Sequence, residues 1–104
     1  MQTTAREIMS DMWASLPDSD ALTITDSRRL MGEYDEAPTL ECGGYALVMD
    51  DDRGVTGTGE PEGYTWISFR MTPEGKWTET GMGYAADVED ARTDIAVWFD
   101  ELPR

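Results

Sequence analysis

The sequence predicts an α+β domain: a three- or four-stranded antiparallel sheet with an N-terminal and a C-terminal helix packed on one face. Three observations lead there. Apolar residues recur at helical spacing near both ends of the chain, an alternating hairpin pattern lies in the second half, and no internal repeat is visible. A length of 104 residues suits one domain, read as 1–104.

The first helix opens on the capping box Thr4-x-x-Glu7. Ala5, Ile8, Met9, Met12, Trp13 and Leu16 form one apolar stripe at helical period, and Pro17 with Asp18 ends it. Arg6, Glu7, Ser10 and Asp11 fall on the opposite face. Ala21 to Thr25 alternates, with Leu22 and Ile24 on one side, and reads as a short strand. Asp26-Ser27 is placed to cap a single helical turn through Arg28 to Met31, which Gly32 ends. Glu33 to Pro38 reads as an acidic loop with Tyr34 at its middle.

Thr39 to Cys42 and Tyr45 to Met49 are strand-like, separated by Gly43-Gly44, which fits either a bulge or a tight turn. Asp50-Asp51-Asp52 ends the apolar run, and Arg53 to Gly63, rich in glycine, reads as a loop. Tyr64 to Met71, the turn Thr72-Pro73-Glu74-Gly75 and Lys76 to Met82 form a hairpin. Ile67, Phe69 and Met71 share the face expected to be core, while Tyr64, Trp66, Ser68 and Arg70 share a half-exposed one. Asp87 caps a last helix through about Leu102, with Val88, Ala91, Ile95, Trp98, Phe99 and Leu102 as its buried stripe. Glu89 and Asp90 suit the helix dipole, whereas Asp100 and Glu101 oppose it, a hint that negative charge is wanted there for another reason.

Twenty-two Asp and Glu face eight Lys and Arg, for a formal net charge of −14. Such a field repels nucleic acid and anionic membrane and attracts basic surfaces. It predicts no direct nucleic-acid binding and no membrane association and says almost nothing about chemistry; with no catalytic motif in the chain, a binding role is expected and an enzyme role is not. Hydrophobic residues, 39% of the chain, are too many for a disordered acidic tail. Cys42 has no partner for an internal disulfide, which points to a reducing compartment and an inert small hydrophobe. The opening residues Met1 to Glu7 lack a basic start followed by an apolar run, and no stretch approaches the ~20 apolar residues of a membrane span. A cytoplasmic location is therefore expected.

The chain has no histidine, which removes imidazole bases, His-based zinc sites and Ser-His or Cys-His nucleophile pairs. Gly54-Val55-Thr56-Gly57-Thr58-Gly59 superficially resembles a phosphate cradle. It lacks the Gly-Lys-Ser/Thr ending, and the aspartates upstream would repel phosphate. Asp50 and Asp52 offer hard oxygens to Mg²⁺ or Ca²⁺, but the spacing matches no calcium loop, and an acidic strand end facing water is the favoured reading. No cofactor and no metal are assigned.

Charge density is the remaining signal. Duplex DNA carries about one charge per ~1.7 Å, so a stretch as long as this domain is wide carries on the order of 20 phosphates. Three clusters are placed to imitate it: Glu33, Asp35 and Glu36; Asp50, Asp51 and Asp52 with Glu60 and Glu62; and Asp87, Glu89, Asp90 and Asp94. Tyr34, Tyr64 and Trp66 are candidate anchoring aromatics beside them, or else a cross-strand pair shielding the sheet.

Tyr64-Thr65-Trp66-Ile67-Ser68-Phe69, Trp77, and Gly81-Met82-Gly83-Tyr84 leading to the Asp87 cap give a tryptophan-bearing hairpin before an acidic helix. With the charge, this resembles small acidic phage and mobile-element anti-defence proteins, the anti-CRISPR and anti-restriction class. Several members of that class act as DNA mimics. The resemblance implies an inhibitor of a basic nucleic-acid-binding protein, monomeric or homodimeric, in the cytoplasm of a bacterial or archaeal host. It carries over no site residues. A salt-adapted interaction or accessory domain is the competing expectation, since Lys76 is the only lysine and acidic excess also serves hydration. A small metal-binding module using Asp50 to Asp52 is the third.

Overall fold

Both ends of the chain fold into helices because both carry an apolar stripe and a cap. The computed structural model describes residues 3–16, 22–26, 37–52 and 63–103. Helix α1 spans Ala5–Ser15, and Thr4 and Glu7 complete both halves of the capping box. Ala5, Ile8, Met9 and Met12 are buried, with Trp13 and Leu16 packed at the margin. Helix α2 spans Val88–Asp100, and the Asp87 side chain accepts from Asp90 N at 2.8 Å. Its buried residues are Ala91, Ile95 and Phe99.

Between the helices lie β1 (Leu22–Asp26), β2 (Pro38–Cys42), β3 (Tyr45–Asp52), β4 (Gly63–Met71) and β5 (Trp77–Ala85). The strands form one antiparallel sheet in the order β1-β2-β3-β4-β5, five strands in all, with β1 joining strands β2 to β5 at the outer side of β2. Each strand pairs with its neighbours in sequence. Gly43 (φ 55°) and Gly44 (φ 87°) make the β2–β3 connection a tight turn, because two successive left-handed residues match the right-handed twist of the flanking strands. Gly75 (φ 83°) closes the β4–β5 turn, donating its N–H to the Thr72 carbonyl at 2.9 Å.

Two expectations need correction. The strand does not end with the apolar run at Met49: Asp50, Asp51 and Asp52 continue β3 opposite Thr65, Tyr64 and Gly63. Strand pairing uses the backbone, and it does not stop where side chains turn acidic. The assignment of faces on β4 is also different. Tyr64, with Trp66 beside it, faces the helices, in a core with Leu40, Leu47, Met49 and Ala85 from the sheet and Ile8, Met9 and Ile95 from the helices. Ile67 and Phe69 belong to a second buried cluster with Ala37, Ala46, Val48 and the margin of Trp77. Because β3 is buried on both sides, it reads as the continuous run Ala46 to Met49 and not as an alternation. Each fully buried side chain of this size contributes about 1.5–3 kcal/mol.

Helix α1 lies over β1, β2 and β3, α2 packs beside β5, and the helices touch each other. The candidate turn through Arg28 to Met31 and the glycine-rich loop up to residue 62 lie outside the described residues.

Candidate functional site

The described carboxylates divide into those that hold the fold together and those that do not. The first group gathers where both helices begin. Asp51, on β3, accepts the Ala5 backbone N–H at 2.7 Å, so a strand side chain supplies a second cap to α1. An anion at that place satisfies an orphan donor and favours the helix dipole. Glu7 closes the capping box, and Asp87 caps α2. Tyr64 sits among them. Its hydroxyl donates to the Thr3 carbonyl, and burial first, then Asp51, Glu7 and Asp87, hold its phenol above the ordinary value of 10.0.

Tyr64 is therefore no exposed anchor: at 2% accessibility it belongs to the core and ties the segment before α1 to the sheet. Asp51 is half-buried and structural, while Asp50 is exposed and accepts the Asp51 N–H at 2.9 Å. Asp52 closes the ladder opposite Gly63. Asp87, Glu89 and Asp90 are exposed at the start of α2. Glu33, Tyr34, Asp35, Glu36, Glu60 and Glu62 lie outside the described residues. Among the described residues, no three Cys, Asp or Glu converge in a way that would hold a metal ion. No helix among them is long and apolar enough to cross a membrane.

The second group lies toward the other end of α2. A cleft of about 130 Å³ opens between this helix and β4, lined by Trp66, Ser68, Asp94, Val97, Trp98 and Glu101. Trp66 is half-buried, and its indole N–H donates to Asp94 Oδ2 at 2.9 Å, fixing ring and carboxylate together. The ring occupies the space over Gly83: a Cβ there would fall 2.6 Å from Trp66 Cε2. Gly81 faces Ser68 in the next pair, and the Ser68 and Thr80 hydroxyls are 2.8 Å apart at an irregularity in the β5 register. Gly81 and Gly83 are strand residues of β5, and Gly83 makes room for the Trp66 indole.

Among the described residues, the α2 end of this cleft is electrostatically one-sided. The last turn of α2 carries no basic residue, its carbonyl end is the negative pole of the dipole, and Asp100 and Glu101 add exposed charge there. Of the cleft residues, Trp66 and Asp94 were expected at a binding surface. Ser68, Val97 and Trp98 were not, and the only sequence signal for this end was the dipole opposition of Asp100 and Glu101. On the outer face of β5, Met82 (63% exposed) and Tyr84 (55%) present apolar surface.

No protein-family model matches the chain, and no curated protein and no solved structure is significantly similar to it.

Proposed function

We propose that the chain is a non-catalytic acidic binding protein. In this reading it inhibits a basic nucleic-acid-binding partner by occupying the partner's groove, as the anti-CRISPR and anti-restriction DNA mimics it resembles do. The observation that carries this reading is the placement of Asp94, Asp100 and Glu101. Asp100 and Glu101 lie at a helix end where negative charge works against local stability, and Glu101 shares a cleft with Asp94 from the middle of the same helix. The molecule is 42 Å along its longest axis. A duplex of that length carries about 25 phosphates, and a net charge of −14 is of the same order. A basic groove would meet it as a competing polyanion, with fast, salt-sensitive association. The site of action is the cytoplasm of a bacterial or archaeal host.

Affinity capture from bacterial lysate, with elution by rising salt, tests the proposal. The expected eluate contains a DNA- or RNA-binding protein whose nucleic-acid binding the purified chain then competes away. Recovery without any nucleic-acid-binding protein overturns it.

A second reading has its own support. Exposed acids occupy α1 (Glu7, Asp11), β3 (Asp50), the β4–β5 turn (Glu74), β5 (Glu79) and α2 (Glu89), a spread that suits a salt-adapted accessory domain. Such a domain unfolds in dilute buffer and refolds in molar salt, where self-repulsion is screened. Circular dichroism across a salt series separates the two readings.

A further inference from the structure

We infer that the cleft between α2 and β4 is a receptor for a single arginine side chain of a protein partner. The inference rests on the reading of the chain as an acidic binder and specifies what part of the partner enters it. At about 130 Å³ the cleft is well below the roughly 300 Å³ or more of small-molecule sites, which leaves room for one inserted side chain.

Its chemistry selects the side chain. Trp66 and Trp98 supply indole surface, and Asp94 and Glu101 supply two carboxylates. The carbonyl end of α2 adds a third source of negative potential, with no basic residue in that last turn to offset it. A cation is required. The Trp66 indole engages Asp94 Oδ2, so Oδ1 is the oxygen that takes an incoming N–H. A guanidinium stacks its plane on indole and presents a fork of donors to carboxylates. An ammonium is a compact, strongly hydrated charge that gains less from aromatic walls. The chain's own Arg70, two residues beyond Ser68 on β4, is exposed and does not line the cleft.

The test uses the full chain with ¹⁵N-labelled tryptophans, whose four indole N–H signals report separately. It is titrated at low ionic strength with an oligo-arginine peptide and with an oligo-lysine peptide of equal length. The arginine peptide is expected to shift the Trp66 and Trp98 signals saturably and to leave Trp13 and Trp77 in place. The lysine peptide is expected to bind about tenfold more weakly. Asp94→Asn with Glu101→Gln should weaken the arginine peptide by about tenfold or more. The carboxamide oxygen introduced by Asp94→Asn still accepts from the Trp66 indole, so the fold is kept. Glu74→Gln with Glu79→Gln removes the same charge from the β4–β5 hairpin, whose acids do not line the cleft, and should change affinity by no more than about twofold.

Equal affinity for the two peptides, equal loss in the two double variants, or shifts at all four indoles or at none overturn the inference. Its failure is separable from that of the broader reading. A captured nucleic-acid-binding protein that is retained undiminished by Asp94→Asn with Glu101→Gln leaves the reading standing without the receptor. Selective arginine binding with no such protein captured leaves the receptor without the reading.

Discussion

The two ends of α2 carry the same kind of side chain to opposite effect. At its start, Asp87 caps the helix, and the neighbouring Asp51 and Glu7 do the same for α1 around the buried Tyr64 hydroxyl. At its finish, Asp100 and Glu101 face a carbonyl pole that already disfavours them, next to a cleft walled by indoles. Acidic residues in this chain are therefore not one population. Some are structural ligands for backbone N–H groups, Asp94 holds an indole N–H, and others, such as Asp100 and Glu101, stand as exposed charge. Net charge alone counts them all, which is why it overstates what a partner can meet.

The sharpest way to break this contrast is at Tyr64. Tyr64→Ala should cost about 3–5 kcal/mol by urea unfolding, because a large buried side chain and a long-range tie are lost together. Tyr64→Phe keeps the ring and should cost about 1 kcal/mol. The same phenol sets an alkaline limit. Its folded pKa is raised, so the neutral form is the one the fold favours. That contribution is complete below the unfolded value of 10.0 and is lost as pH climbs from there through the folded value. In Tyr64→Phe the alkaline decline in stability should be shallower.

A smaller effect is expected on the cleft side. Gly83→Ala places a methyl where the Trp66 ring lies and should cost about 1–3 kcal/mol. It should also change tryptophan fluorescence through loss of the bond to Asp94. Asp87→Ala removes a cap and should cost about 1 kcal/mol. Last, Asp100→Asn with Glu101→Gln should leave stability unchanged or raise it by about 0.3–1 kcal/mol, since unfavourable charge is removed from the dipole's negative pole. A loss of stability in that double variant would place its carboxylates with the structural group and erase the contrast.

Much of the architecture was legible because it is written locally. Thr4-x-x-Glu7, Asp87 and the two apolar stripes specify the helices, and Thr72 to Gly75 specifies a turn. Period-two alternation told which β4 residues share a face. It could not tell which face the helices cover, because both are apolar and the choice depends on distant α1 and α2. Asp51 was misread for the same reason: nothing within its own segment signals that its partner is Ala5. The cleft was half legible. Trp66 and Asp94 stood out as an aromatic and an acid, but Trp98 sat in a stripe that looked wholly buried.

The Asp51 cap and the Tyr64 tie also fix an order of events during synthesis. They join residues 46 and 61 positions apart in the chain, whereas every strand pairs with its immediate neighbour. The meander can zip up progressively as hairpins leave the ribosome. Helix α1 can settle on β1, β2 and β3 before β4 is made, and it gains its last tie only when Tyr64 has emerged.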